Sequence, residues 1–272
     1  MLGRDLTDVA AAAGIETIPV DVPEIDISRQ RTLADQLPTG DWLINCAAYT
    51  RVDDAQKERE AAYAVNAEGV RNLGEIAHAR GVPILHLSTD YVFDGYVKEE
   101  LTEQHRANPL SIYGASKLAG EKALRAVGGD FVIVRTQSLF GKHGANFVKA
   151  IVRKLKESDA PLRVVADQVS APTYTRHLAD ALVRLVQTRP TGLFHITAGG
   201  SCSWYEFAQQ IVAEIKPGHD VQPITAAELA RPAKRPAHAV LSNAKFRQQT
   251  RHAMPTWREG LETYFHEEDY FT

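Results

Sequence analysis

Tyr113-Gly114-Ala115-Ser116-Lys117 sets a phenol and an amine four residues apart, and Ser88-Thr89-Asp90-Tyr91 closes an apolar run upstream of them. The segment 111–127 has helical composition and periodicity, so the i,i+4 spacing puts Tyr113 and Lys117 on one face about one turn apart. A cation held there favours the phenolate and should lower the phenol from its ordinary pKa near ~10. The pair could then serve as a general acid for a carbonyl oxygen that becomes an alcohol. Thr89 offers a further hydroxyl at the carboxyl end of Pro83-Ile84-Leu85-His86-Leu87, where open α/β sheets put ligands. Alone, Tyr-x-x-x-Lys is a weak signal, because both residues are common on half-exposed helices. Joined to the Ser-Thr strand end in an alternating strand and helix pattern, it reads as a tyrosine-based redox site.

The elements that must position these groups alternate through the first half of the chain, which argues for βαβ units and a parallel sheet. Strands are expected over 15–20, 42–47, 83–88 and 131–135. One long amphipathic helix is expected over 58–80, stopped by Gly81. Past Gly141 the pattern changes: helix over 146–155, strand over 162–165, a polar loop at 167–173, helix over 176–187 and strand over 193–196. Ser203-Trp204-Tyr205-Glu206 matches a capping box, so another helix starts there. The expected architecture is α/β, a Rossmann-type doubly wound parallel sheet with a smaller C-terminal substrate-binding lobe. Residues 1–138 and 173–198 would form the dinucleotide-binding domain, and 139–172 with 199–272 the lobe over the sheet's carboxyl edge.

At 272 residues with 44% hydrophobic residues the chain can bury a full core, and its net charge of -3 gives no global attraction for nucleic acid or an anionic membrane. Two cysteines outside any Cys-x-x-Cys spacing fit a reducing cytoplasm, and ten scattered histidines form no recognisable ligand motif, so neither a disulfide nor metal catalysis is expected. No apolar run approaches the ~18 residues needed to span a bilayer.

Asn45-Cys46-Ala47-Ala48-Tyr49-Thr50 is rich in small residues for a strand end, which suits either a flat ligand or tight helix packing. Asp21 and Asp26 follow the second expected strand, where a carboxylate can bond an adenosine ribose. Arg29 and Arg31 nearby keep a 2′-phosphate open. Asn146, Lys234 and Arg235 could contact a diphosphate, since an arginine fork matches phosphate oxygens. His86, His195 and Asn66 read as satisfied structural groups.

Together these residues resemble the dTDP-4-dehydrorhamnose reductase family of the extended short-chain dehydrogenase/reductase superfamily, over nearly the whole chain. The resemblance rests on Met1-Leu2-Gly3, Asp26-Ile27, the 45–50 run with Val52-Asp53, Ser88 to Gly95, Pro109-Leu110, Tyr113-Gly114 with Lys117 to Glu121, Arg135-Thr136, Phe140-Gly141, Asn146-Phe147, Asp167-Gln168, Pro172-Thr173 and Arg235-Pro236. It implies Tyr113 as proton donor, Lys117 as the group that lowers the phenol's pKa and binds the nicotinamide ribose, and Thr89 orienting the substrate carbonyl. It further implies cofactor contacts at Met1, Leu2, Asp26, Ile27, Ala47, Ala48 and Thr50, and substrate contacts at Val52, Thr89, Asp90, Tyr91, Asn146 and Arg235. The implied reaction is hydride transfer from NADPH or NADH to C4 of dTDP-4-dehydro-β-L-rhamnose. The implied partner is that nucleotide sugar, and a homodimer is compatible with it.

Two departures stand out. The family opens with a β-strand and a Gly-x-x-Gly-x-x-Gly turn, whereas this sequence starts at the end of that turn, so the first strand is expected to be missing and upstream residues to restore tight cofactor binding. At Gln137-Ser138 many members carry Ser-Trp, so an aromatic that would pack on sugar or base is replaced by a hydroxyl. An epimerase or dehydratase of another nucleotide sugar is the neighbouring enzymatic reading; Asp90-Tyr91 does not supply the Asp-Glu pair a dehydratase wants. A non-catalytic reading is an NADP-binding regulatory subunit resembling that of methionine adenosyltransferase. The broken glycine turn favours it, and the intact Thr89, Tyr113 and Lys117 oppose it.

Overall fold

The computed structural model describes residues 1–268, apart from the side chains of 31 and 32. The first half runs α1 (Leu2–Ala12), α2 (Gln30–Gln36), β1 (Leu43–Asn45), α3 (Arg59–Tyr63), α4 (Gly69–Arg80), β2 (Ile84–Thr89), α5 (Ile112–Val127) and β3 (Phe131–Thr136). It continues with β4 (Leu139–Phe140), α6 (Phe147–Glu157), β5 (Leu162–Val165), β6 (Val169–Ser170), β7 (Thr173–Tyr174), α7 (Thr175–Gln187) and β8 (Gly192–His195). The chain then forms β9 (Cys202–Ser203), α8 (Trp204–Ile215), β10 (Val221–Ile224), α9 (Ala226–Leu229), α10 (Ala244–Thr250) and α11 (Trp257–Glu267).

Among the described residues β1, β2, β3 and β8 form a parallel sheet in that order. Strand alternation sorts its side chains onto two faces, and helices cover both, the doubly wound arrangement. Leu85, Val132, Val134 and Phe194 meet Leu2, Leu6, Leu178 and Leu182 of α1 and α7. On the other face Ile84, Ile133 and Leu193 meet Val70, Leu73 and Leu124 of α4 and α5. Burial on both sides explains why these strands read as continuous apolar runs.

Two expectations change. The 15–20 segment is not a strand: a strand exists only as part of a ladder, this segment has no pairing partner among the described residues, and Ile18 and Val20 are exposed. The expected 42–47 strand shortens to β1. The expected 58–80 helix is present as a continuous helical run in which a π-helical turn at Ala64–Glu68 joins α3 to α4. The π turn sits at a close crossing, where α5 runs so near that a Cβ on Gly120 would lie 2.1 Å from the Asn66 carbonyl oxygen. Gly81, at φ +65°, ends α4 in the left-handed conformation expected of it.

The second core lies around α6, α8 and α11, where Val148, Ile151, Phe207, Ile211, Trp257, Leu261 and Tyr264 pack with Phe140. Ser203 and Glu206 form the expected capping box at the start of α8.

Candidate active site

α5 starts at Ser111, whose hydroxyl accepts the Gly114 amide at 3.2 Å and fixes the turn that carries Tyr113. β2 ends in Thr89, so helix start and strand end bring the two hydroxyls together, both buried. Tyr91 packs edge-on against Tyr113 with ring centroids 5.3 Å apart. The Thr89 hydroxyl donates to Asp90 Oδ1 at 3.0 Å and accepts the Tyr91 amide at 3.2 Å. Burial pushes the Asp90 carboxyl up to about 7 and the Tyr91 phenol up to about 12.

Lys117 is buried, and Nζ donates to the Leu87 carbonyl at 2.6 Å and lies 3.4 Å from His86 Nε2. The histidine's tautomer follows from its neighbours. The Ala47 amide donates to Asn45 Oδ1 at 3.0 Å, which leaves the Asn45 NH₂ to donate to His86 Nδ1 at 3.0 Å. Nε2 therefore carries the proton and presents a donor, not a lone pair, to the lysine. Burial lowers the Lys117 amine to about 8, with Glu121 and Cys46 pulling it back up.

The expected depression of the Tyr113 phenol is not found. Burial pushes it above its ordinary range, the Thr89 hydroxyl lowers it, and Asp90 and Tyr91 raise it further. The lysine is turned to the Leu87 carbonyl and contributes no lowering.

α1 begins beside the 45–50 run, with Gly3 3.7 Å from the Cys46 Cβ once a Cβ is built on it. The start of α1 thus lies next to the small-residue run, and the unpartnered amides of a helix start are where an anion can be held. Asn66 explains the shape of that run: its side chain accepts the Tyr49 amide at 2.9 Å and donates to the Tyr49 carbonyl and Ser116 Oγ at 3.0 Å. Asp26 is occupied by Ser28 and Arg29, and Ile27 packs on α4, its carbonyl taking the Asn72 amide at 2.9 Å. Asp21 is exposed, Thr50 is exposed and Val52 half-buried, and the Arg31 side chain lies outside the described part.

Arg235 borders a cavity of about 370 Å³ with Asp94, Tyr96, Leu229, Arg231 and Lys234. It also borders a smaller one of about 20 Å³ with Asp90, Tyr91, Ser138 and Trp204. Of the expected substrate contacts, Asp90, Tyr91 and Arg235 line these cavities, and Val52, Thr89 and Asn146 do not. Asn146 caps α6, accepting the Lys149 amide at 3.1 Å and donating to the Gly141 carbonyl at 2.8 Å. Ser138, in the left-handed region at φ +49°, bonds Ser170 at 2.9 Å.

Sequence spacing gave no sign of Trp204 in the small cavity, because α8 arrives there from a distant part of the chain. It gave no sign either that Asp5, Asp8 and His143 each present a ligand atom within 4.8 Å of the others. The pairing of Asp53 with Arg235 across 182 positions was equally hidden.

The model of the RmlD substrate binding domain family matches residues 1–270. The chain belongs to that family. A dTDP-4-dehydrorhamnose reductase of Mycolicibacterium smegmatis is 38% identical over 96% of this chain and 81% of its own. The spore coat polysaccharide biosynthesis protein SpsK of Bacillus subtilis is 36% identical over 98% and 94%. The crystal structure of a dTDP-4-dehydrorhamnose reductase from Bacillus anthracis in complex with NADP superposes with a TM-score of 0.92 at 38% identity, over 98% of this chain and 95% of that one. No described helix of this RmlD-family chain is long and apolar enough to cross a membrane.

Proposed function

We propose that this chain reduces the C4 keto group of dTDP-4-dehydro-β-L-rhamnose, giving dTDP-L-rhamnose. The observation that carries the reading is the buried convergence of Thr89, Tyr113 and Lys117 at the end of β2, where the adjoining Asp90 and Tyr91 line a small cavity that shares Arg235 with the larger cation-lined one. NADPH or NADH supplies the hydride when bound. Met1, Leu2, Ala47 and Ala48 would hold its pyrophosphate, Asp26, Ile27 and Thr50 its adenosine side, and Lys117 its nicotinamide ribose. Residues 1–138 and 173–198 form the dinucleotide half in this reading, and 139–172 with 199–272 the sugar-nucleotide half.

Tyr113 gives its proton to the C4 oxygen as that oxygen becomes an alcohol. A phenol raised by burial stays protonated through the neutral range, which suits an acid rather than a base. Thr89 orients the carbonyl once its hydroxyl turns from Asp90. Lys117, whose Nζ is directed to the Leu87 carbonyl, serves the nicotinamide ribose in its ammonium form rather than the phenol. Val52, Asp90 and Tyr91 wall the sugar, and Arg235 faces the anionic end. In this reading the enzyme works in the cytoplasm, where both free cysteines stay reduced.

The test is NADPH oxidation by this chain on enzymatically generated dTDP-4-dehydrorhamnose, with dTDP-L-rhamnose identified as the product. Turnover by the wild type and a loss of roughly 10²–10⁴-fold in Tyr113→Phe are expected. A folded wild type that binds NADPH and the sugar nucleotide without turnover would overturn the assignment.

A further inference from the structure

We propose that Asp53 is the positioning residue for Arg235, and that it presets this guanidinium for the diphosphate of a nucleoside diphosphate entering the 370 Å³ cavity. The inference rests on the reading that this cleft takes a nucleotide sugar.

Asp53 follows the small-residue run at the end of β1, and Arg235 belongs to the 231–237 segment that borders both cavities. Arg235 Nη1 donates to Asp53 Oδ1 at 3.1 Å and Nη2 to Asp53 Oδ2 at 2.8 Å, a bidentate fork. A second set of bonds closes the arrangement: the Ala233 amide donates to Asp53 Oδ1 at 3.1 Å, and Arg235 Nη1 donates to the Ala233 carbonyl at 2.8 Å. The carboxylate thus fixes both the side chain and the turn that carries it.

Counting donors shows what remains. A guanidinium has five N–H groups, and these bonds use both on Nη1 and one on Nη2. The Nε–H and one Nη2–H are left for Tyr91 and for a ligand, with the Tyr91 hydroxyl close enough to interact. Asp53 lines neither cavity, so it acts from behind through Arg235. The cavity itself carries Arg231, Lys234 and Arg235 against the single carboxylate of Asp94 among the residues that line it, a balance that suits an anion. The Arg235 side chain is 11% exposed and Asp53 33%, so the pair is shielded enough to hold one geometry. An arginine released from this fork would have to be ordered again on binding.

The experiment is calorimetric titration of dTDP, and separately of thymidine, into the wild type, Asp53→Asn, Asp53→Glu, Arg235→Lys and the double variant Asp53→Asn/Arg235→Lys, with steady-state kinetics alongside. Asp53→Asn and Arg235→Lys should each weaken dTDP binding roughly 10-fold, the size of one charge-assisted contact. The double variant should lose no more than Arg235→Lys alone, thymidine should be unaffected, and Asp53→Glu should recover part of the loss. In turnover the change should fall on KM rather than kcat. Unchanged dTDP binding in Asp53→Asn, additive losses, or a wild type that binds dTDP no better than thymidine would each overturn the proposal. If Asp53→Asn does not fold, equal dTDP binding by Arg235→Lys and the wild type would overturn it as well. Tight dTDP binding by a wild type that reduces no keto sugar would instead sink the reductase reading and leave this inference standing.

Discussion

Tyr113 and Lys117 divide the proton chemistry between them in a way their spacing did not announce. The phenol is held protonated by burial, and the groups poised to titrate near neutrality are the lysine, at about 8, and Asp90, at about 7. Below about 8 Lys117 is an ammonium that can hold the nicotinamide ribose; above it the charge is gone. We therefore expect kcat/KM to fall as pH rises through about 8 and the same limb to persist in Asp90→Asn, since Asp90, at about 7, is a separate group. A profile flat to the tyrosine range would refute the role given to Lys117. Tyr113→Phe removes only the transferable proton, so turnover should drop roughly 10²–10⁴-fold while calorimetry finds dTDP affinity unchanged. The residue identities of this site were legible because Tyr-x-x-x-Lys and the Ser-Thr strand end are local patterns. Their charge states were not, because the fully buried His86 and the carbonyl of Leu87 reach Lys117 of α5 from β2.

Helix α5 shows why the glycines of its motif are there. A Cβ on Gly114 would lie 2.1 Å from the Tyr91 carbonyl oxygen, so Gly114→Ala must push the helix start from the strand end that carries Thr89. It should destabilise the fold by roughly 1–3 kcal/mol and lower kcat; urea denaturation that matches the wild type would contradict this. Further along α5, Glu121 takes a bidentate pair from Arg135 at 2.8 and 2.7 Å and the Ser88 hydroxyl at 2.6 Å, all buried. Arg135→Met leaves that carboxylate uncompensated and should cost about 3–5 kcal/mol, measurable in the same denaturation. At this scale the apolar runs of β2 and β3, the Gly81 stop of α4 and the cap of α8 were readable, since each depends on neighbours in sequence. The π turn in the 58–80 region was not, because it lies where Gly120 of another helix crosses at close range, and the 15–20 run had strand composition but no partner to pair with among the described residues.

Across the whole molecule, the sheet cores and the lobe core are distinct clusters, and the cation-lined cavity draws residues from both halves of the sequence. Damage to one core should therefore be felt unequally by the two ligands. Phe207 is fully buried and touches Phe140, Phe147, Trp204 and Trp257. Trp204 also lines the small cavity beside Ser138. Removing the Phe207 ring should cost roughly 3–5 kcal/mol and let α8 shift, since α8 carries both Phe207 and Trp204. Its effect on the dinucleotide should be small, because Met1, Ala47, Ala48 and Lys117 stand on the sheet and on α1 and α5, whose packing involves other residues. In Phe207→Ala the KM for the keto sugar nucleotide should rise while the NADPH dissociation constant, read by fluorescence, stays near the wild-type value. Parallel loss of both affinities would show that the two cores behave as one cooperative unit, and a weakened NADPH site with an intact sugar KM would reverse the assignment of halves.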